Sequence, residues 1–274
     1  MKTTKVCLGL PWYNGPDPDT YHTYFEMVHY FGKMQERSHW LHRMVRLNRH
    51  LPDDSIPALD PMQADGDRSE ITAEDGVFEF GYAMQGGLSL PGLAREHVVD
   101  SALAWGADWL FMWDDDMMMP WSAFLRLWRH QKPVVAALAF TAREPIQPVI
   151  YRIEEKQNEN GMLVRNSRFV LDYPKDQLIS DEHIGGPIAF GAGVTLINMN
   201  VFKQMQKPWF HSTGCGEDWM FCIRCWEHGI PRYVDTSVKT LHKMRKPSWS
   251  GEDAYEQSRK DRPDDYARLA EGWQ

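Results

Sequence analysis

Asp114, Asp115 and Asp116 follow directly on the apolar run Trp109-Leu110-Phe111-Met112-Trp113. Three carboxylates at the end of a short buried strand suit two ends. They hold a hard divalent cation, which in turn holds phosphates, or they form a solvated acidic turn. Side chains alternate along a strand, so Asp114 and Asp116 are expected to converge while Asp115 points elsewhere. Further on, Glu217 and Asp218 open a helical pattern. Acids in a first helical turn suit the helix dipole. A carboxylate at a pocket edge also serves as a general base toward an acceptor hydroxyl. His242 follows a strand-like stretch and is either structural or a source of imidazole for the same metal. Lys243, Arg245 and Lys246 form the densest basic run, fit to meet a diphosphate. Arg95 lies near the start of a helical stretch, where it reaches a phosphate or pairs with Glu96 or Asp100 on the surface.

A second cluster, His211, Cys215, Cys222 and Cys225, invites a zinc reading. Its spacing matches none of the usual paired knuckles, and Cys222 and Cys225 sit in a helical pattern, so buried free thiols are expected. His22, His29, His39, His42 and His50 read as surface or packing residues, and Met117-Met118-Met119 as packing material.

The elements that must position these groups alternate between strand and helix. Lys5 to Trp12 reads as a first buried strand, closed by the loop Pro11-Trp12-Tyr13-Asn14-Gly15-Pro16. That loop neighbours the acidic one if the two strands are parallel, and is otherwise a plain strand-to-helix turn. A helix follows from Tyr21 to about Asn48, capped by Asp19 or Thr20 and breaking near Gly32. Residues 52–76 are acidic and rich in Pro and Gly, which reads as a loop or insertion. Val77–Met84 reads as a strand, Leu93–Trp105 as an amphipathic helix, Trp121–His130 as a helix with Pro120 near its start, and Lys132–Phe140 as a buried strand. Val149–Ile153 and Met162–Leu171 read as an antiparallel pair around Asn158-Glu159-Asn160-Gly161. Gly191-Ala192-Gly193 allows close backbone approach to a ligand. It is no dinucleotide fingerprint, because Val194–Met199 continues as strand. A helix opened by Glu217 and Asp218 is closed by Gly229 with Pro231 beyond it, a final strand starts at Tyr233-Val234-Asp235, and Val238–Leu241 leads to His242. In open α/β sheets ligands bind beyond the carboxyl ends of the strands, where the acids stand here.

Composition narrows the class. A chain of 274 residues with 43% hydrophobic and 25% charged residues is ordinary globular material, long enough for one large domain or two small ones. A net charge of -8 leaves nucleic acid as a partner only through a local basic patch. Four cysteines without a leader pattern argue against a disulfide framework. No stretch reads as a secretory signal or a membrane span, so a soluble, cytoplasmic protein is expected.

The motifs in this order resemble the glycosyltransferases of the GT-A fold, in particular the family-2-like enzymes of bacteria and phages. The carriers are the Pro-Trp-Tyr-Asn loop, Leu93-Ala94-Arg95, Asp114-Asp115-Asp116, the Gly-Ala-Gly strand, Gly216-Glu217-Asp218 and the late His242, over roughly residues 4 to 243. The resemblance implies an α/β, Rossmann-like fold: a mixed, mostly parallel sheet flanked by helices, with a small antiparallel subregion. It implies one domain over 1–243, with a donor half to about 140 and an acceptor half from 141, followed by a charged tail at 244–274.

It also implies roles. Asp114 and Asp116 match the Asp-x-Asp motif, one carboxylate near the donor ribose and the other on the metal, with Asp115 between them beside the nucleotide-sugar. His242 completes the metal site, for which Mn²⁺ or Mg²⁺ is expected. Asp218 matches the base of inverting members, with Glu217 orienting the acceptor. Pro11, Trp12 and Tyr13 line the nucleotide base, and Arg95, Lys243 and Arg245 face the donor phosphates. The implied reaction moves a sugar from a nucleoside-diphosphate sugar, a UDP-sugar by default, to a hydroxyl of a glycan, lipid-linked sugar, protein or modified DNA. Relatives often carry Arg-Asn where this chain has Arg95-Glu96. Three rivals stand beside it: a nucleotidyltransferase making an NDP-sugar, a non-catalytic carbohydrate or nucleotide-sugar binder, and a zinc module. The first usually needs a basic phosphate loop after the first strand, and residues 11–16 contain neither Lys nor Arg.

Overall fold

The computed structural model describes residues 2–11, 18–46, 71–86, 88, 90–211, 216–244 and 249–271. Trp12, Tyr13, Cys215, Arg245 and Lys246, with residues 52–70 of the acidic segment, lie outside the described residues. In chain order the first elements are β1 (Thr3–Pro11), α1 (Pro18–Arg46), a 3-10 turn (Ala73–Asp75), β2 (Val77–Gln85), α2 (Pro91–Trp105), β3 (Trp109–Trp113), β4 (Met117–Met118), α3 (Ala123–Arg129) and β5 (Val134–Leu138). Then come β6 (Ile150–Gln157), β7 (Leu163–Phe169), β8 (Leu178–Ile179), α4 (Asp181–Ile184), β9 (Ile188–Phe190), β10 (Val194–Asn198) and α5 (Asn200–Gln204). The chain closes with α6 (Glu217–Glu227), β11 (Tyr233–Lys239), β12 (Leu241–Lys243), β13 (Trp249–Ser250), α7 (Glu252–Asp261) and α8 (Pro263–Glu271).

Seven strands make the main sheet in the order β2-β1-β3-β10-β5-β11-β8. β2, β1, β3, β5 and β11 run one way, and β10 and β8 run against them. The result is a mixed α/β architecture with a mostly parallel sheet flanked by helices, compatible with the GT-A type. β6 and β7 pair antiparallel, and β9 joins them in the expected small subregion. A third sheet, β13-β12-β4, is absent from the sequence reading. Its strands are two or three residues long, too short for a periodic signal, so Met117 and Met118 pass for packing material.

Alternation along the strands separates two cores. Val6, Leu8 and Leu10 of β1, Phe111 and Trp113 of β3 and Val135 and Ala137 of β5 join the aromatic layer under α1 and α3. Cys7, Leu110, Met112, Val134, Ala136 and Leu138 face α2, α6 and the small sheet. On α1, Met27, Tyr30, Phe31, Met34 and Leu41 are buried at helical spacing, and this stripe carries the helix unbroken through the exposed Gly32. A mid-helix glycine costs only ~1 kcal/mol, less than the burial of one large side chain. Asp19 and Thr20 fall inside the first turn, because the helix already begins at Pro18. α1 also protects the sheet edge: Ser38 Oγ and Gln35 Oε1 accept the Phe78 and Phe80 N–H groups of β2 at 3.1 and 2.7 Å.

Asp75, at the end of the acidic segment, is buried and takes both carboxylate bonds from Arg129 at 2.8 Å. The C-terminal stretch is two helices whose Tyr255 and Tyr266 are buried in the main core. Among the described residues no helix is long and apolar enough to cross a membrane.

Candidate active site

The site forms where the carboxyl ends of β1, β3, β5 and β11 meet the start of β10. Gly9 of β1 pairs with Met112 of β3, which sets Pro11 at the level of Asp114. β10 enters antiparallel at the end of β3, and the Asp114 N–H donates to the Gly193 carbonyl at 2.8 Å. That reversal explains why the Gly-Ala-Gly segment lies at the site.

The acidic triplet does not continue the strand. The Met117 N–H donates to the Asp114 carbonyl at 3.2 Å, so Asp115 and Asp116 occupy the middle of a turn. The carboxylates therefore separate by partner. Asp114 keeps the Met112 face, toward α2, and both its oxygens accept from Arg95 at 2.8 Å. Asp116 faces β12, with Oδ2 3.1 Å from His242 Nε2. Asp115 lies in the turn, half-buried.

His242 is placed by the small third sheet. It pairs with Met117 of β4 on one side and Ser250 of β13 on the other. Its Nδ1 donates to the Phe140 carbonyl at 2.7 Å, beyond the end of β5. That bond fixes the proton on Nδ1 and leaves Nε2 toward Asp116, the arrangement found in metal-binding histidines held by a backbone carbonyl. Burial depresses the His242 pKa, but Asp116 and the Phe140 carbonyl outweigh it, so the net direction is upward. Among the described residues no group of three or more His, Cys, Asp and Glu side chains is arranged around a metal. The donor set at hand is one carboxylate and one imidazole, which fits Mn²⁺ or Mg²⁺ only with ligands from a diphosphate or water. The Lys243 N–H donates to the Asp116 carbonyl at 2.9 Å, so the start of the basic run is tied to the turn.

Asp218 comes from the first turn of α6. Its Oδ2 accepts the Ala192 N–H at 3.1 Å. Among the described residues Oδ1 accepts no hydrogen bond. A Cβ on Gly191 would stand 2.9 Å from Val149 Cγ1 and 3.6 Å from Asp218 Oδ2, so this backbone approaches as closely as it does because no side chain intervenes. The tight approach at Gly191 is to Val149, and Asp218 Oδ2 lies at ordinary contact distance.

Arg95 is only 2% exposed. The expected surface pairing with Glu96 or Asp100 gives way to buried partners. The Arg95 Nε reaches Glu217 Oε1 at 3.3 Å while its two terminal nitrogens hold Asp114. Glu96 serves a different end: it accepts the Phe210 N–H at 2.5 Å. Gly92 permits this docking, since a Cβ there would lie 2.4 Å from the Phe210 carbonyl oxygen.

The acids share one field. Burial is the largest influence on Asp114 and pushes its carboxyl up; Arg95 opposes it, and Asp116 and Asp218 add repulsion. Burial, then the Asp218 charge, push Glu217 up to about 7, again against Arg95. Tyr151 of β6, whose ring lies 4.6 Å from Phe169, is raised by burial and by Asp218. Nothing in the sequence singles out Tyr151. Of the four candidate zinc ligands, Cys222 and Cys225 are buried free thiols as expected, burial pushing Cys222 up to about 12, His211 is exposed, and Cys215 lies outside the described residues.

No family model and no curated protein matches the chain. Among solved structures it is similar to A197 from STIV, at TM-score 0.45 and 11% identity over 92% of each chain. GalNAc-T7 with UDP, GalNAc and Mn2+ gives TM-score 0.38 and 14% identity over 69% of this chain and 37% of that one. A UDP-glucose pyrophosphorylase complexed with UDP-glucose gives TM-score 0.38 and 10% identity, over 97% and 99%. All three scores lie below 0.5, so the functional reading rests on this chain's own residues.

Proposed function

We propose that this chain is a metal-dependent glycosyltransferase that moves a sugar from a nucleoside-diphosphate sugar, a UDP-sugar, to an acceptor hydroxyl with inversion. The observation that carries the reading is the meeting of the Asp116–His242 pair with Asp218 at one end of the sheet, from segments far apart in sequence. Asp116 and His242 hold the cation. When bound, Mn²⁺ or Mg²⁺ supplies Lewis-acid stabilisation to the charge on the departing diphosphate.

Asp218 Oδ1 takes the proton of the acceptor hydroxyl as its oxygen bonds to the anomeric carbon. The bond from that carbon to the diphosphate oxygen breaks, and the electron pair leaves with the nucleoside diphosphate. Attack from the face opposite the leaving group gives inversion. No second carboxylate need act as acid, because the leaving group departs as an anion; this differs from glycoside hydrolysis. Glu217, beside the base, orients the acceptor. Pro11, Asp115 and Lys243 are assigned to the donor side, and the nucleotide-base role of Trp12 and Tyr13 and the phosphate role of Arg245 are carried from the sequence resemblance, these three residues lying outside the described ones.

Thermal unfolding with UDP, GDP, ADP, CDP and TDP, each with and without Mn²⁺, tests the reading. A ligand at ~100 times its Kd that binds only the folded chain adds about 2.7 kcal/mol, a shift of roughly 5 °C or more. A shift with UDP only when Mn²⁺ is present is the expected result. No shift with any nucleotide would overturn the proposal.

A further inference from the structure

We propose that Arg95 is a positioning residue that joins the donor-side carboxylates to the base-bearing helix; the proposal rests on the transferase reading above. One guanidinium reaches both parts. Nη1 and Nη2 hold the two oxygens of Asp114 beyond the end of β3, and Nε holds Glu217 at the start of α6. Met112 Sδ, 3.0 Å from Nη1, and the Phe210 ring, whose centroid lies 5.9 Å from the guanidinium carbon, pack against the group as well. Asp218 follows Glu217 directly, and Asp116 lies two residues after Asp114. The guanidinium thus sets the spacing between the acid that faces the cation site and the acid that takes the proton.

The residue type matters. Arg presents a rigid planar fork with donors along two edges, whereas Lys is a point charge that satisfies one carboxylate at a time. Burial makes the difference sharper, because a carboxylate left without a partner in this setting is strongly disfavoured. Arg95 itself is almost wholly buried with its three guanidinium nitrogens on carboxylates, which gives it the role of holding the acids.

The test compares wild type, Arg95→Lys, Glu217→Gln and the double variant. UDP binding with Mn²⁺ is read by calorimetry, and turnover of UDP-sugar by UDP release, both per folded molecule. Arg95→Lys is expected to keep the UDP Kd within about threefold and to lower turnover by ~30- to 100-fold, the scale of a misplacement of about 1 Å. If Arg95 acts through Glu217, the double variant loses little more than Arg95→Lys alone. Unchanged turnover in Arg95→Lys, multiplied losses in the double variant, or a loss of UDP binding equal to the loss of turnover would each overturn the proposal. Should Arg95→Lys fail to fold, Arg95→Gln is read in the same way: lower turnover with the UDP Kd within about threefold supports the proposal, and unchanged turnover overturns it. A wild-type protein without metal-dependent turnover fails the transferase reading itself, and Arg95 is then a structural ion pair only.

Discussion

Asp218→Asn lowers sugar transfer by ~10²-fold or more and leaves UDP binding intact. The amide has no basicity to take the acceptor proton, yet its carbonyl oxygen still accepts the Ala192 N–H that Asp218 Oδ2 accepts at 3.1 Å. The fold around α6 is therefore retained. A second effect separates the role of the charge from that of the shape. The Asp218 charge is one cause of the raised Glu217 pKa, second to burial. Removing a neighbouring negative charge favours the ionised form, so Glu217 in the variant titrates below its value of about 7. Rates of UDP release in wild type and variant, with a carboxyl titration by NMR, check both. A fully active Asn variant would move the base elsewhere.

Asp116→Ala abolishes metal-dependent nucleotide binding while the protein stays folded. Loss of a partner that merely supports a ligand typically costs 10- to 100-fold in metal affinity, so loss of the ligand itself costs ~10²-fold or more. The side chain is 47% exposed and its pair with His242 lies at the surface of the site, so its removal costs about 1 kcal/mol of stability or less. Binding and stability are thus separable. A titration of UDP in the presence of Mn²⁺ checks the first, and a denaturant midpoint the second. Unchanged UDP affinity in the variant would sink the metal assignment.

Parts of this site are legible in the chain because they are local. The apolar run before Asp114 is short, buried and cut off by charge, and α6 is bounded by Glu217 and Gly229, the latter at φ 66° past the helix end. Its acids stand where a helix begins, whatever their use. What was not legible depends on distant partners. Arg95 finds Asp114 nineteen residues on and Glu217 across 122 residues, and no pattern around Arg95 encodes either. The direction of β10 is hidden as well, since an apolar strand reads alike in a parallel or an antiparallel place. The turn at Asp115–Asp116 defeats an expectation drawn from strand alternation, and sends Asp114 and Asp116 to different partners. Short strands such as β4 and β13 exist only through their pairing with β12, so His242 gains its setting from contacts that sequence spacing does not carry. The stretch from Ser248 reads as a charged tail, helical or loosely ordered; it forms two helices, anchored among others by Tyr255 and Tyr266 in the core, a burial that its charged composition hides.

The most direct test of the central claim follows the donor itself by NMR. UDP-α-glucose is incubated with the wild-type chain and Mn²⁺, with water as default acceptor, and again with EDTA or with added pyrophosphate. Metal-dependent release of UDP with β-glucose as the first-formed sugar is the predicted result, unchanged by pyrophosphate. Formation of UTP and glucose 1-phosphate on adding pyrophosphate would contradict it.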